Sequence, residues 1–258
     1  MVIDLLEDLL ETIVTECREH CIVRGSLLFR KRIDPTRTTK DLDIFVNAQY
    51  FDANYLFKHC NLVAFVCKLM QKKFKIISVS DEDFFERNKY VEVILETNET
   101  KEPKVPKIQL DIGRDADNLE TTYEPFLYKC ENGNCIEITV SSVYVDLAWK
   151  IQLLVNKNWR VKDLIDANQL YNHTTSCGRT FDGDLFLKVL KQTLKYRNTP
   201  IEKLGLIINQ KFGKSRAAKQ KWRKWQSLHK EYQNTTLAEL FEVLYEWAIP
   251  QLINFQRD

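Results

Sequence analysis

Three aspartates decide what chemistry this sequence could perform. The run Lys40-Asp41-Leu42-Asp43-Ile44-Phe45-Val46 places two carboxylates two residues apart among apolar side chains. On a strand, alternate residues share a face, so Asp41 and Asp43 project together while Leu42, Ile44 and Val46 point to the other side. Two such carboxylates repel, and a divalent cation relieves the repulsion; hard oxygen ligands suit Mg²⁺. A second alternating run, Lys107 to Ile112, puts Ile108, Leu110 and Ile112 on one face and Lys107, Gln109 and Asp111 on the other. If the two strands are neighbours, Asp111 completes a set of three. Such a set can hold two metals, one on a triphosphate and one lowering the pKa of an attacking hydroxyl.

Taken alone, an Asp-x-Asp tripeptide is common enough to be a solvated polar face. Gly25-Ser26, upstream of it, changes the balance. A glycine at a strand-to-helix turn lets backbone N–H groups approach a phosphate, and a serine at the helix start adds a hydroxyl donor.

The elements that must position these residues follow from periodicity. Ile3, Leu6, Leu9, Leu10 and Ile13 give residues 2–20 a helical stripe, and Cys21 to Val23 is a short apolar run leading to the glycine. A further helical turn or two is expected from Leu27 to Ile33, ended by Pro35, then a strand over 42–46 and a long helix over 53–74. Strands are expected over 75–80, 90–96, 107–112 and 135–140, the last after the Glu-Asn-Gly-Asn turn at 131–134. The polar segment Thr97 to Pro106 reads as a hairpin loop. From Ser141 or Ser142, either a plausible N-cap, helices are expected near 143–156, 160–171, 182–197, 216–232 and 236–254. The expected fold class is therefore α+β, with a first domain over 1–140 and a helical domain over 141–258.

Composition excludes little but narrows the setting. A net charge of +2 over 258 residues makes no general case for nucleic-acid binding, so any basic surface must be local. The seven cysteines are an odd number without a CxxC pair, and the four histidines are scattered, which argues against a zinc site or a disulfide framework. The N-terminus alternates acids with leucines, unlike a signal peptide, and no apolar run approaches the roughly 20 residues of a membrane helix. A cytoplasmic protein with no membrane partner is expected.

The stretches Arg24-Gly-Ser-Leu-Leu-Phe-Arg and Arg37-Thr-Thr-Lys-Asp-Leu-Asp-Ile together resemble the first motif of the AbiEii/AbiGii-type, MenT-like toxin nucleotidyltransferases, within the DNA polymerase β superfamily. In that motif a Gly-Gly-Thr-like stretch precedes Arg-x-Ser-x-Asp-Leu-Asp. Leu110-Asp111-Ile112 looks like the second motif, Val143 to Leu154 around Lys150 like the third, and Trp159-Arg-Val-Lys-Asp-Leu-Ile-Asp like the fourth. The resemblance implies a polymerase β-type mixed sheet with flanking helices, followed by a helical C-terminal half. It implies Asp41, Asp43 and Asp111 on metal, Gly25 and Ser26 on the triphosphate of an NTP, Lys150 on its phosphates, and an essential Asp163. A cognate antitoxin and an RNA acceptor, the tRNA 3′ end first, come with it. Two positions depart from the pattern: Arg24 stands where the first glycine is usual, and Trp149 where an acid usually precedes the lysine.

The residues add independent readings. Lys150 sits at the edge of the stripe formed by Val143, Leu147, Ile151 and Leu154, as either a phosphate ligand or a snorkelling lysine. Lys162 and Asp166, four apart, could form an ordinary helix ion pair. No acid occurs between Glu202 and Glu231, where Lys211, Lys214, Arg216, Lys219, Lys221, Arg223, Lys224 and Lys230 surround Trp222 and Trp225. That segment is either an RNA-neutralising face or a solvated face over a core built from Ala218 and the tryptophans. Other acceptors, a small-molecule or protein hydroxyl, and a non-catalytic nucleotide-binding module are the competing functions.

Overall fold

Apolar residues at helical spacing build the first helix, α1 (Val2–Cys17), whose Leu6, Leu9, Leu10 and Ile13 are all at most 1% exposed. The computed structural model describes residues 2–17, 21–46, 74–80, 90–97, 107–114, 123–156, 159–176, 178, 180–211 and 213–255. They form two compact units, 1–142 and 143–258.

In the first unit β1 (Cys21–Arg24) runs directly into α2 (Gly25–Arg32), and β2 (Asp41–Val46) follows. Then come β3 (Phe74–Ser80), β4 (Tyr90–Thr97), β5 (Lys107–Arg114), β6 (Tyr123–Lys129) and β7 (Cys135–Ser141). They make one mixed sheet in the order β3-β4-β5-β2-β1-β7-β6. β1 is antiparallel to β2 and parallel to β7, while β2 and β5 run parallel. Leu42, Ile44, Ile108, Leu110 and Ile112 put their side chains into one core with Leu27 and Leu28 of α2 and the stripe of α1. Each full burial of this kind contributes roughly 1.5–3 kcal/mol, which fixes the register of β2 and β5.

A polar tie closes the outer end of this core. Glu7, 3% exposed, accepts from Tyr128 Oη at 2.9 Å and from the Glu131 backbone at 2.7 Å, and pairs with Lys31 at 3.1 Å. Burial opposes the Lys31 charge, but hydrogen bonds to Glu131 and Glu7 outweigh it and raise its pKa.

β6 has no counterpart in the sequence expectations. Pro125 lies inside it and argues against a strand, but β6 ends the sheet order, and an edge strand tolerates a proline. β4 and β5 pair antiparallel, as a hairpin requires. The helix expected over 53–74 lies outside the described residues except for Phe74, which opens β3, and the hairpin loop expected from Thr97 to Pro106 lies outside them except for Thr97, the last residue of β4.

The second unit comprises α3 (Val143–Leu154), α4 (Val161–Ser176), α5 (Gly183–Tyr196), α6 (Arg216–Leu228) and α7 (Leu237–Phe255). Ser141 is the last residue of β7, so Ser142 directly precedes α3. Asp182 caps α5 by accepting from Leu185 N at 2.9 Å, and Ser215 caps α6 by accepting from Ala218 N at 3.1 Å. Thr236 and Glu239 form a reciprocal capping box at the start of α7. The expected helix over 216–232 stops at Leu228, and Lys230–Tyr232 is a separate 3₁₀ turn. Short helical turns at Ile201–Leu204 and Gly205–Ile208 were not expected; at four residues each, they are too short for periodicity to reveal. Trp247 stacks on Tyr171 at 4.8 Å in the unit's core, beside Phe186.

Candidate active site

The register of the two central strands sets the geometry. Asp43 of β2 is the direct partner of Asp111 on β5, and Asp41 is the partner of Gln109. Side chains paired across neighbouring strands share a face, so the three aspartates lie together on the side opposite Leu42 and Ile44, which are 0% and 4% exposed. Asp41, Asp43 and Asp111 are each half-buried.

Neutral donors hold two of them. Gln109 Nε2 donates to Asp111 Oδ1 at 2.9 Å and to Oδ2 at 3.1 Å. The Ser26 and Thr39 hydroxyls meet each other and Asp41 Oδ1, Thr39 at 2.5 Å from the carboxylate. Ser26 thus turns its hydroxyl toward Asp41, and it is only 7% exposed.

Gly25 opens α2 at φ +78°, a conformation that disfavours any side chain. A Cβ added there would overlap the Asp43 carboxylate. The glycine is therefore needed twice, for the turn and for the space in which Asp43 lies. Arg24, with no acceptor atoms, occupies the N-cap of α2 and makes no side-chain cap.

Among the described residues, no three His, Cys, Asp or Glu side chains are grouped closely enough to form a metal site as they stand. The donor set nonetheless fits a hard divalent cation in type: three carboxylates from neighbouring strands share one face, and neutral donors orient two of them.

In the helical unit, Lys150 of α3 reaches two buried carboxylates of α4, Asp163 at 3.0 Å and Asp166 at 2.8 Å. Both aspartates are at most 1% exposed, and the Lys150 side chain is 18% exposed. Arg160 Nε and Nη2 also hold Asp163, each at 2.9 Å. Burial opposes the Lys150 charge, but attraction to Asp166 and Asp163 outweighs it, so the ammonium pKa lies above the ordinary lysine value. Burial likewise opposes the Asp163 charge, but the Arg160 hydrogen bond and the Lys150 charge pull its pKa below the usual carboxylate value. Lys150 is thus not a snorkelling surface lysine, and Asp166 turns to Lys150. Asp163 sits beneath the two cations as their anchor.

A cavity of about 720 Å³ in this unit is lined in part by Trp159, Arg160, Asp163, Lys203 and Lys211. On α6, Ala218 and Trp222 are 3% and 5% exposed, so Trp222 is core; Trp225 stacks on His229 at 3.8 Å. Arg216, Lys219, Arg223 and Lys224 are exposed along the same helix. Lys221 instead donates to the Trp159 carbonyl at 2.8 Å.

Sequence reasoning did not single out Thr39, Gln109, Arg24 or Arg160 for a role, nor pair Asp166 with Lys150. Thr39 and Gln109 each precede an aspartate by two residues, the spacing that puts a donor on the carboxylate's own strand face.

The architecture is that of nucleotidyltransferases. The chain resembles the crystal structure of JHP933 from Helicobacter pylori, with a TM-score of 0.50 at 15% identity, covering 98% of this chain and 93% of that one. A second H. pylori crystal structure, described as a nucleotidyltransferase, gives 0.51 at 14% identity, covering 98% and 96%. The chain belongs to the AbiEii nucleotidyl transferase toxin family of type IV toxin–antitoxin systems, which it matches over residues 8–247. No curated protein matches it. Among the described residues, no helix is long and apolar enough to cross a membrane.

Proposed function

We propose that the protein transfers a nucleotide from an NTP to an RNA acceptor in a Mg²⁺-dependent reaction, with the tRNA 3′ end as the first acceptor to test. The observation that carries this reading is the pairing of Asp43 with Asp111 across parallel strands, with Gly25 making room for the Asp43 carboxylate. Asp41, Asp43 and Asp111 would hold the metal, one ion or two, whose chemistry is to neutralise the triphosphate and acidify the attacking hydroxyl. Gly25 and the first turn of α2 offer N–H groups to the phosphates. Ser26 keeps Asp41 oriented.

Lys150 serves the nucleotide's phosphates, and Asp163 and Asp166 fix its ammonium in place and in charge. The exposed cations of α6 give the RNA backbone a counter-surface, consistent with a local basic face on a chain of net charge +2. In this reading residues 1–140 are the catalytic domain, and 141–258 contribute nucleotide and acceptor contacts. The toxin acts in the cytoplasm, where a cognate antitoxin neutralises it.

The test is incubation of the purified protein with each α-labelled NTP, Mg²⁺ and total RNA. Label is expected in RNA with one NTP preferred, and Asp43→Asn is expected to lower transfer by about 100- to 1,000-fold, the order of a lost charge stabilisation. Label appearing on protein or on a small acceptor would overturn the RNA reading. Undiminished transfer by Asp43→Asn would overturn the metal reading.

A further inference from the structure

Arg24 is charged, only 7% exposed, and lies on the same sheet face as the aspartates. It is the direct cross-strand partner of Asp43, so one row across three strands reads Arg24, Asp43, Asp111. Residues paired this way have Cβ atoms about 4.5–5.5 Å apart. The Asp43 carboxylate lies over Gly25, the residue next to Arg24.

The guanidinium is held on a platform. It sits 4.5 Å from the centre of the Phe45 ring, one step along the same face of β2. Phe45 in turn occupies the space left by Gly113, its own register partner on β5, where an added Cβ would meet the ring at 2.2 Å. Gly113, Phe45 and Arg24 thus form a stack that fixes a positive charge beside the carboxylate row. A buried arginine demands a nearby negative charge, and two adjacent carboxylates demand a positive one.

We propose that Arg24 is the internal countercharge of the Asp43–Asp111 pair: a positioning residue that keeps the two carboxylates side by side and, by its charge, sets how tightly they take a divalent cation. The second half of this statement rests on the metal reading above; the first half does not.

Two measurements on the full chain separate them. In EDTA, a thermal double-mutant cycle of Arg24→Met and Asp43→Asn tests the countercharge. Arg24→Met is expected to lower Tm by about 3 °C or more, and by clearly less on the Asp43→Asn background. Equal drops on both backgrounds would overturn the proposal, because a methionine fills the space over Phe45 and only the charge distinguishes the two. If Arg24→Met does not fold, Arg24→Lys and Arg24→Gln complete the cycle, with lysine expected to retain stability better than glutamine; glutamine matching lysine would also overturn it.

Mn²⁺ titration by electron paramagnetic resonance then tests the setting of affinity. Arg24→Met is expected to bind Mn²⁺ roughly tenfold more tightly than the unaltered protein, as removal of a fixed positive charge near the cation requires, with Arg24→Lys close to the unaltered value. Unchanged or weaker Mn²⁺ binding by Arg24→Met would overturn this half. If the unaltered protein takes no Mn²⁺, or Asp43→Asn takes it equally well, the metal reading fails and this half with it, while the EDTA cycle still decides the countercharge.

Discussion

The two units treat buried charge in opposite ways. The sheet of the first unit brings three like charges onto one face, two of them held by an amide from Gln109 and hydroxyls from Ser26 and Thr39. The helical unit gathers opposite charges, with Lys150 and Arg160 over Asp163, and Asp166 on Lys150. The first arrangement sets three carboxylates against one buried arginine, Arg24, so that a net negative charge is left for something else to neutralise, and the backbone register places the groups. The second is neutralised from within and holds a single ammonium. Stability and activity should therefore separate differently in the two places.

The largest expected effect breaks the internally neutralised cluster. Asp163→Ala removes a partner of both Lys150 and Arg160 and is expected to cost about 3–5 kcal/mol in urea unfolding. The counterpart change in the sheet, Asp41→Asn, keeps an acceptor for the two hydroxyls and relieves repulsion. It is expected to alter stability by no more than about 1 kcal/mol while removing transferase activity. If both substitutions destabilised equally, the contrast between the units would be wrong.

Next in size is Gly25→Ala, which combines a positive φ with an overlap on Asp43. A loss of about 2 kcal/mol or more is expected, accompanied by loss of activity. A stable, active Gly25→Ala would show that Asp43 does not need the position described.

A smaller effect is read from pH. The Asp163 pKa is depressed in the fold, so its contribution to stability is complete above the ordinary carboxylate pKa of about 3.9 and is lost as pH falls through the lower folded value. The Lys150 pKa is raised, so its contribution is complete below about 10.4 and is lost as pH rises through the higher folded value. Unfolding followed from pH 2 to 12 should show both limbs, and Asp163→Ala should flatten the acid one.

The smallest stability change belongs to α6. Lys219→Glu with Arg223→Glu lies on an exposed face and is expected to shift stability by about 0.5 kcal/mol or less. RNA affinity should nonetheless fall and its salt slope become shallower. An unchanged salt slope would remove α6 from the RNA surface.

Alternation made much of the sheet legible. Leu42 and Ile44 had to be buried, which left Asp41 and Asp43 on the other face, and the same logic placed Asp111. What alternation could not supply was which strand lies beside which: the pairing of Asp43 with Asp111, and of Arg24 with Asp43, exists only once β1, β2 and β5 are ordered. β6 was missed because Pro125 is a strand breaker everywhere except at an edge, and edges are a property of the assembled sheet. On α6, helical spacing left open whether Ala218 and the tryptophans were core beneath the basic face, and burial places Ala218 and Trp222 in the core. The partners of Lys150 were out of reach for a similar reason, since Asp166 had a plausible local partner in Lys162 and only the packing of α3 on α4 brings it to Lys150.

The lack of a side chain at position 25 ties together two stretches of sequence that look separable. Whatever accumulates at Gly25 is vetoed by a carboxylate eighteen residues downstream, so the turn and the strand are inherited as one piece. A saturation library of this chain should hold glycine at position 25; the few substitutions that survive the positive φ there should be confined to clones that have also shortened residue 43, and those clones should be the harmless ones.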